Sequence, residues 1–443
     1  MQKRSHWSNR LAFIIVAIGS AVGLGNIWKF PYIAGENGGG AFVLVYLFCI
    51  LLIGLPIFVA ELYIGQKAQH NAITSFAILE KKEKSLWSMA GWFGLISAFL
   101  ILSFYSVVGG WIIDYFYQSV SLNFADKSDE QIRMMMTNLF SSPGKQIFFH
   151  FVFMSLTFGI VIGGISQGIE KWSKILMPLF FILLTGLLIY SITTPGFQSA
   201  VEFLFSFNTS KLTASGILEA VGHSFFTMSL GMGAIITYGS YLSPKENLFG
   251  TAVIIGFMDT LVALISGLII FSVVFSYGFD PASGPTLMFQ TLPVLFAKSA
   301  MGQIVAMAFF GLVLFAALTS AVSLLEVIVS YFHESLEWNR KKTTTIFCLI
   351  LFSLGILSAL STNILAEFWV YKKMTFFDFF DHITSHYLLP IGGLIISLFF
   401  GWKIPNENIA AVIKNKFSLN LIVWSARLIA PIGIAAMIIN SLL

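Results

Sequence analysis

Eleven apolar runs, each long enough to cross a lipid bilayer, occupy most of this 443-residue sequence. They fall near 11–34, 40–65, 88–120, 146–163, 172–194, 213–240, 248–277, 300–332, 343–361, 377–400 and 420–442. A spanning helix needs roughly 20 apolar residues, so eleven runs leave no room for a large soluble domain. Only 10% of the residues are charged and 57% are hydrophobic. The sequence therefore predicts an all-α, multi-span membrane protein.

The basic residues predict the orientation of these spans. With the N-terminus inside, 16 of the 25 Lys and Arg residues lie at the inner ends of spans or in inner loops, and 7 lie in outer loops. Basic loops are retained on the cytoplasmic side of a membrane. We therefore expect a cytoplasmic N-terminus, and the odd number of spans then places the C-terminus outside. The proline-containing outer segment 278–298 is expected to form short helices that lie over the outer face as a lid.

Spans 1 and 6 each contain closely spaced glycines near mid-membrane. The first stretch is Gly19-Ser-Ala-Val-Gly-Leu-Gly-Asn26, and the second is Phe226-Thr-Met-Ser-Leu-Gly-Met-Gly233. Glycine also serves close helix packing, so either stretch alone has two interpretations. Two breaks five spans apart favour two inverted five-helix repeats, about 11–194 (spans 1–5) and 213–400 (spans 6–10), with broken helices 1 and 6. An eleventh helix, about 420–442, then lies outside the repeats.

Charged residues inside the spans need a partner or a function, because a charge at mid-membrane costs a few kcal/mol, roughly 2.5–3.5 on insertion scales. Glu61 and Glu326 are expected to accept hydrogen bonds from amides that the helix breaks release, and direct ligation by these carboxylates is the alternative. Asp259 has no neutralising residue in its own span, and either a bound cation or His223 would compensate its charge.

Two apparent enzyme motifs fail on inspection. Gly164-Ile-Ser-Gln-Gly168 matches a nucleophile elbow in spelling, but no strand precedes it. His333-Glu334 begins like a zinc-protease helix, but Glu337 stands where the second histidine is required. The sequence therefore does not predict an enzyme.

Longer motifs resemble the neurotransmitter:sodium symporter family along essentially the whole chain. They are Arg4-Ser-His-Trp-Ser-Asn-Arg10, the span 1 stretch continued to Pro31, Glu36-Asn-Gly-Gly-Gly-Ala-Phe42, Gly168-Ile-Glu-Lys-Trp172, Phe225–Ala234 and Ala316-Ala-Leu-Thr-Ser320. The leucine-transporting member of this family is a standard example of inverted repeats with broken helices, so the repeat argument agrees with a known case.

The resemblance implies two sodium sites and a substrate site at the two breaks. The first sodium site would use Ala21, Asn26, Thr227 and Asp259 with the substrate carboxylate, and the second Gly19, Val22, Ala316, Thr319 and Ser320. The substrate carboxylate would meet the amides of Leu24 and Gly25 and the Tyr105 hydroxyl. Ala21 and Thr227 would also line this substrate site. Its side-chain pocket would be Ile101, Phe226, Ser229, Met232, Ser320 and Leu324.

The resemblance also implies gates and an anion region. On the inner side Arg4 would pair with Glu334, with Trp7 as a latch. On the outer side Lys29 would pair with Asp381, and Asp378 is a rival partner.

The anion region would comprise Tyr46, His223 and Asp259, where this chain departs from the family. Asp259 replaces the usual asparagine, His223 replaces a frequent glutamine, and Ala263 lacks the usual serine or glutamate. The requirement for an anion is therefore open. We expect transport to be chloride-independent. Proton counter-transport and a purely hydrogen-bonding role for His223 both remain alternatives.

Together these features predict a sodium-coupled symporter for a neutral hydrophobic amino acid resembling leucine, isoleucine, valine or methionine. It would work by alternating access in a bacterial plasma (inner) membrane, as a monomer or weak dimer that binds no nucleic acid. Carriers of an amine, an osmolyte or an aromatic amino acid are the alternatives within transport. Amine carriers of the family have aspartate at the position of Gly23, which favours an amino acid here. A channel or a membrane receptor is a different class, but a channel would need a continuous polar stripe, whereas the polar residues here cluster at two breaks.

Overall fold

The computed structural model describes residues 6–124, 127–282, 284–299 and 301–442, which are helical along most of their length. The helices are α1 Arg10–Ala21, α2 Gly25–Glu36, α3 Gly40–Ala68, α4 Thr74–Glu80, α5 Leu86–Val120, α6 Asp129–Phe140, α7 Pro143–Val161, α8 Ile165–Ile192, α9 Phe197–Phe205, α10 Ala214–Thr227, α11 Ala234–Ser240, α12 Leu248–Ser276, α13 Thr291–Lys298, α14 Gly302–Ser335, α15 Arg340–Leu360, α16 Phe376–Lys403, α17 Asn406–Ala410 and α18 Lys416–Leu442. Short 3₁₀ turns cover Leu86–Ser88 at the start of α5, Thr209–Lys211 and Gly284–Leu287.

The helices follow the predicted spans. In the described part of the chain, nine helices are long and apolar enough to cross a membrane, and α1 with α2 forms a further span bent by 49°. The predicted span 6 consists of α10 and α11, separated by the non-helical residues 228–233. All eleven predicted runs are therefore helical, and the all-α membrane fold is confirmed.

The start of span 5 differs from the sequence-based boundary. The helix α8 begins at Ile165, whereas the apolar run was placed at 172–194. The charges of Glu170 and Lys171 make residues 165–171 resemble a loop in the sequence. In the structure Lys174 Nζ lies 2.5 Å from Glu170 Oε1, and Ser8 donates two hydrogen bonds to the same carboxylate. Because these charges are paired, the helix continues through them.

The two longest helices, α5 and α14, form the centre of the molecule together with the broken spans. Every residue of α14 from Ala316 to Ser330 is buried, as expected for a helix that is hydrophobic all round. In the predicted outer segment 278–298, α13 buries Thr291–Phe296. The preceding Phe289 ring contacts the rings of Trp28, Trp111 and Tyr115. The predicted short outer helix therefore exists and packs on the aromatic side chains near the outer end of span 1.

The loop between α3 and α5 is fastened to the end of α16 through Glu80. Its carboxylate accepts hydrogen bonds from Lys82 Nζ (2.8 Å) and the Ser85 hydroxyl (2.7 Å), and Lys403 Nζ lies 3.3 Å away. These contacts, with Lys82 the largest, lower the pKa of Glu80 to about 2. A lowered pKa means that the contribution of this group to stability is fully present above an ordinary value of 4.5 and is lost as the pH falls towards about 2.

Candidate functional site

The break in span 1 redirects its backbone groups. Val22 is extended, with φ −71° and ψ 111°, and ends α1. The Gly23 amide donates to Asn26 Oδ1 (3.0 Å), and the Asn26 amide donates to the Gly23 carbonyl (3.2 Å). These amides would otherwise bond back to the carbonyls of Gly19 and Val22. The break therefore turns main-chain carbonyl oxygens at mid-membrane towards other ligands.

The break in span 6 faces the one in span 1 and is held by side chains. Ser229 has φ 55° and Gly231 has φ 73°, so the chain here is in the left-handed region that ends a right-handed helix. The Ser229 hydroxyl donates to the Ser20 carbonyl (2.8 Å), which joins the two breaks directly. The Gly231 amide donates to Glu61 Oε1 (2.7 Å). The predicted role of Glu61, accepting a hydrogen bond from a released amide, is confirmed.

The corresponding prediction for Glu326 is wrong. Its carboxylate is held by the Arg340 guanidinium, which donates from Nη1 (3.0 Å) and Nη2, and by the Tyr241 hydroxyl (2.9 Å). Arg340 begins α15 and reaches back to the buried end of α14, donating also to the Val161 carbonyl (3.0 Å). Glu326 is therefore the anionic half of a buried ion pair that connects three helices, and its charge is compensated by a residue distant in the sequence from the breaks.

A small cavity of about 30 Å³ lies between the two breaks, α5 and α14. Its lining residues are Ser20, Ala21, Gly23, Leu24, Gly25, Ile101, Tyr105, Phe226, Ser229, Met232, Ser320, Ser323 and Leu324. All predicted substrate residues except Thr227 lie on this wall.

Three wall residues, Ser20, Gly23 and Ser323, are not among the predicted substrate residues, although the position of Gly23 already served to favour an amino acid over an amine. Ser20 and Gly23 belong to the glycine-rich stretch of span 1, and that stretch was a usable signal for both. Ser323 lies one helical turn after Ser320, and the i, i+3 spacing places both hydroxyls on the same face of α14. Helical spacing from the predicted Ser320 would have identified it.

Three of the four residues predicted for the first sodium site form one hydrogen-bonded cluster, and the fourth, Ala21, lines the central cavity. Asn26 Nδ2 donates to Asp259 Oδ1 (2.8 Å) and to the Asp259 carbonyl (3.0 Å). The Thr227 hydroxyl lies 3.2 Å from each Asp259 carboxylate oxygen. All three side chains are fully buried or nearly so. The cluster therefore concentrates oxygen ligands, one of them anionic, beside the cavity.

The residues predicted for the second sodium site also come together. The Ser320 hydroxyl lies 3.3 Å from the Val22 carbonyl, and the Thr319 hydroxyl lies 3.0 Å from the Ala316 carbonyl. A Cβ atom on Gly19 would be 3.2 Å from Thr319 Cβ, so α1 and α14 touch here. Carbonyl and hydroxyl oxygens are the ligands that a hard cation prefers.

Trp7, the predicted inner latch, packs against the end of α11. Its indole Nε1 donates to the Tyr238 carbonyl (3.0 Å), and its amide donates to the Tyr241 carbonyl (3.2 Å). Its ring meets the rings of Tyr238 and Tyr241 edge-on and is only 7% exposed. Glu334 accepts hydrogen bonds from Asn71, and its predicted partner Arg4 lies outside the described residues. Trp7 is thus packed against and hydrogen-bonded to the C-terminal end of α11.

The predicted outer pair is not formed in this conformation. Lys29 and Asp381, both described, make no ion pair with each other. The Lys29 ammonium lies 4.7 Å from the centre of the Phe226 ring, and Asp381 accepts a hydrogen bond from Ser385 (3.0 Å). The rival Asp378 caps its own helix through Thr375. Lysine lacks the two-pronged fork of arginine, and here it stabilises the aromatic wall of the cavity instead.

The predicted anion region is buried and largely aromatic. The His223 ring lies 5.3 Å from the Tyr46 ring and 6.0 Å from the Phe30 ring. Neither ring nitrogen of His223 has a hydrogen-bond partner among the described residues. Asp259 is bonded to Asn26 and Thr227 rather than to His223, so the sequence-based idea that His223 neutralises Asp259 directly is not supported by a contact.

Comparisons with known proteins agree with this geometry. The model of the sodium:neurotransmitter symporter family matches residues 4–134 and 129–443. An uncharacterized sodium-dependent transporter of Bacillus subtilis, YhdH, is 39% identical over 446 residues, covering 99% of this chain and 98% of the relative.

A solved structure and a mammalian relative are also similar. The crystal structure of MhsT in complex with L-phenylalanine is 43% identical, has a TM-score of 0.92, and covers 99% of this chain and 100% of that chain. The mouse sodium-dependent neutral amino acid transporter B(0)AT3 is 30% identical over 301 residues, which is 61% of this chain and 48% of that protein. These relatives are transporters and not enzymes. The chain belongs to the sodium:neurotransmitter symporter family of sodium-dependent membrane transporters.

Proposed function

We propose that this protein is a sodium-coupled symporter for a neutral hydrophobic amino acid resembling leucine, isoleucine, valine or methionine. It works by alternating access in the plasma (inner) membrane of a bacterium. The N-terminus is cytoplasmic and the C-terminus is outside. The asymmetric distribution of basic residues supports this orientation. The inverted repeats, about 11–194 and 213–400, supply the two halves that move about the central site.

One observation carries the substrate assignment. Of the described residues that line the central cavity, none has a charged side chain, and the lining includes the apolar side chains of Ile101, Met232 and Leu324. The lining also includes Tyr105, Leu24 and Gly25, whose hydroxyl and backbone amides suit a carboxylate. A zwitterion with an uncharged, apolar side chain matches this lining, whereas a buried side-chain charge would be left uncompensated.

Two sodium ions accompany the substrate in this proposal. Asn26, Thr227, Asp259 and the Ala21 carbonyl hold the first, next to the substrate carboxylate. Gly19, Val22, Ala316, Thr319 and Ser320 hold the second between α1 and α14. The hydrogen bonds within each set bring several oxygens close together, as sodium coordination requires. Occupying both sites would draw the two breaks and α14 together around the substrate.

A substrate with an aromatic side chain is the second candidate. MhsT, 43% identical, was crystallised with L-phenylalanine. Phe226 and Met232 both line the cavity, and methionine adapts readily to the shape of its neighbours. An amine or osmolyte fits less well, because Gly23 supplies no carboxylate to meet a protonated amine.

The substrate class is tested by sodium-driven uptake of labelled leucine into liposomes that contain the purified protein. Unlabelled leucine, isoleucine, valine and methionine are expected to compete best, while lysine and glutamate should not compete. Stronger competition by phenylalanine and tryptophan than by leucine would favour the aromatic alternative. Strong inhibition by a charged amino acid and none by leucine would contradict the assignment, as would uptake that does not saturate or needs no sodium gradient.

The inner latch gives a separate prediction. Replacing Trp7 with alanine is expected to accelerate hydrogen exchange of the α11 amides by at least about tenfold and to lower uptake. Loss of a buried tryptophan costs about 3–5 kcal/mol, and about 1.4 kcal/mol changes an opening equilibrium tenfold. Trp369→Ala, at a site that is 57% exposed, is the control. Equal exchange of α11 in the two variants would exclude Trp7 as the latch.

A further inference from the structure

A second, larger cavity lies at the end of the molecule where α3 and α11 finish. It encloses about 420 Å³ and is open to the surface. Its walls come from three segments distant in sequence, namely the end of α3, the loop between α11 and α12, and the loop before α18. The lining residues are Gln66, Lys67, Pro244, Lys245, Glu246, Asn247, Leu248, Phe249, Ala411, Val412, Lys414 and Asn415. None of them takes part in the central site.

Each of the three segments contributes a lysine to this cavity. Lys67, Lys245 and Lys414 are all exposed, and none forms an ion pair with a described carboxylate. Glu246 is the single acidic residue on the described wall. Three uncompensated ammonium groups around one opening, against one carboxylate, produce a positive potential that attracts an anion.

Two helices also begin at this cavity. The N-caps of α12 and α18 are Asn247 and Asn415, and both line it. Neither helix has an acidic residue in its first turn. The positive ends of two helix dipoles and their first amides therefore point towards the same opening as the lysines, and that arrangement favours a phosphate group.

Hydrogen bonds between segments hold part of the wall of this cavity in place. Gln66 Nε2 donates to the carbonyls of Ser243 (2.9 Å) and Glu246 (3.2 Å), so the end of α3 holds the loop that contains Lys245. Gln69 Nε2 donates to the Leu242 carbonyl (2.9 Å) and fixes the start of the same loop. Lys67 and Lys245 are thereby held at defined positions relative to each other.

An apolar stripe leads away from the cavity along α12. Phe249 lines the opening, Val253 follows one turn later and is 40% exposed, and Phe257 follows a further turn later and is 64% exposed. The i, i+4, i+8 spacing places all three on one face of the helix. A ligand with a phosphate in the cavity would therefore have a lipid-facing surface beside it for an acyl chain.

We propose that this cavity binds a phosphate-bearing headgroup, supplied by an anionic phospholipid of the surrounding leaflet. The lysines of three segments then hold one phosphate and tie the loop after α11 to the loop before α18. The neighbouring Tyr241 carbonyl accepts a hydrogen bond from the Trp7 amide, so the bound headgroup stabilises the closed inner end of span 6.

The experiment measures lipid binding to the full-length protein by native mass spectrometry and thermal unfolding in detergent, with short-chain phosphatidylglycerol, phosphatidylcholine and glycerol phosphate as probes. Phosphatidylglycerol should bind at least tenfold more tightly than phosphatidylcholine. The triple variant Lys67→Gln, Lys245→Gln, Lys414→Gln should lose at least tenfold of this affinity, since each lysine near an anionic surface contributes about a few-fold. The matched control is Lys84→Gln, Lys341→Gln, Lys342→Gln, three exposed lysines that do not line the cavity.

A variant that is expected to bind phosphatidylglycerol more tightly distinguishes a specific change in binding from a loss of folding. Glu246→Gln removes the single acidic side chain from the described wall and should tighten phosphatidylglycerol binding. Glycerol phosphate that binds as tightly as phosphatidylglycerol and displaces it would support the phosphate site and reject the lipid as its source. Equal losses in the two triple variants, or a Glu246→Gln protein with unchanged affinity, would overturn the proposal.

Discussion

Replacement of Gly23 by valine is expected to raise the substrate concentration for half-maximal uptake by at least about tenfold. A Cβ atom on Gly23 would lie 2.6 Å from Ser320 Oγ and 3.4 Å from the Tyr105 hydroxyl. Overpacking of a filled site costs about 1–3 kcal/mol, and every 1.4 kcal/mol is tenfold in affinity. The two methyl groups would also occupy the place proposed for the substrate carboxylate. Affinity for substrate and for the second sodium ion should therefore fall together.

The control for this variant is Gly186→Val in α8. A Cβ atom on Gly186 meets no heavy atom of the described residues within 4 Å, so the same chemical change should leave uptake unaltered. Equilibrium binding of labelled leucine to purified protein at saturating sodium separates lost affinity from poor expression. A Gly23→Val protein that binds leucine like the unsubstituted protein would show that the substrate carboxylate does not lie beside this glycine.

The sequence predicted the fold because a membrane imposes strong rules on the chain. Backbone N–H and C=O groups in lipid must form hydrogen bonds within their own helix. Long apolar runs can therefore be assigned to helices from one sequence without an alignment. The positions of both breaks were also readable, because glycine and hydroxyl residues cluster at them. Glu61 was assigned correctly since an isolated carboxylate in lipid needs donors, and the break in span 6 supplies one at Gly231.

Contacts between distant segments could not be predicted in the same way. Arg340 lies in a polar connection, and its sequence neighbours give no sign that it reaches Glu326 and Val161. Lys29 was expected to seek a carboxylate, but the nearest favourable surface is the ring of Phe226. The partners of Arg340 and Lys29 depend on which side chains the folded backbone brings within a few ångströms. The local periodicity of the sequence does not predict that arrangement.

Chloride dependence provides the second large expected effect. A substrate zwitterion is neutral, so two bound sodium ions create a positive excess in a buried site. Asp259 is fully buried, and its carboxylate is directly bonded to the proposed sodium ligands Asn26 and Thr227. Ala263, one turn further along α12, offers no side-chain group to hold an anion. We therefore expect the fixed carboxylate to replace the charge that chloride would otherwise supply.

Native uptake is therefore expected to be the same when chloride is replaced by gluconate. In the Asp259→Asn variant, the sodium concentration for half-maximal uptake should rise by at least about tenfold. Opposite unit charges at 4 Å attract by about 4 kcal/mol in surroundings of intermediate polarity. Losing about one third of this attraction is enough to weaken sodium binding about tenfold. Glu407→Gln, which removes one exposed negative charge in α17, is the charge-matched control and should behave like the native protein.

The same pair of proteins tests whether a proton returns when sodium leaves. Without sodium, the Asp259 carboxylate would remain buried with its charge uncompensated unless it takes up a proton, and the anion region also contains the His223 imidazole and the Tyr46 hydroxyl. Native uptake should therefore respond to the pH of the inner compartment, and Asp259→Asn should remove that response. The His223→Gln variant separates the roles of the two residues. If His223 only forms hydrogen bonds in the core, uptake by this variant should keep the native pH response. Native uptake that collapses in gluconate would refute the charge argument, as would an Asp259→Asn protein with unchanged sodium affinity and pH response.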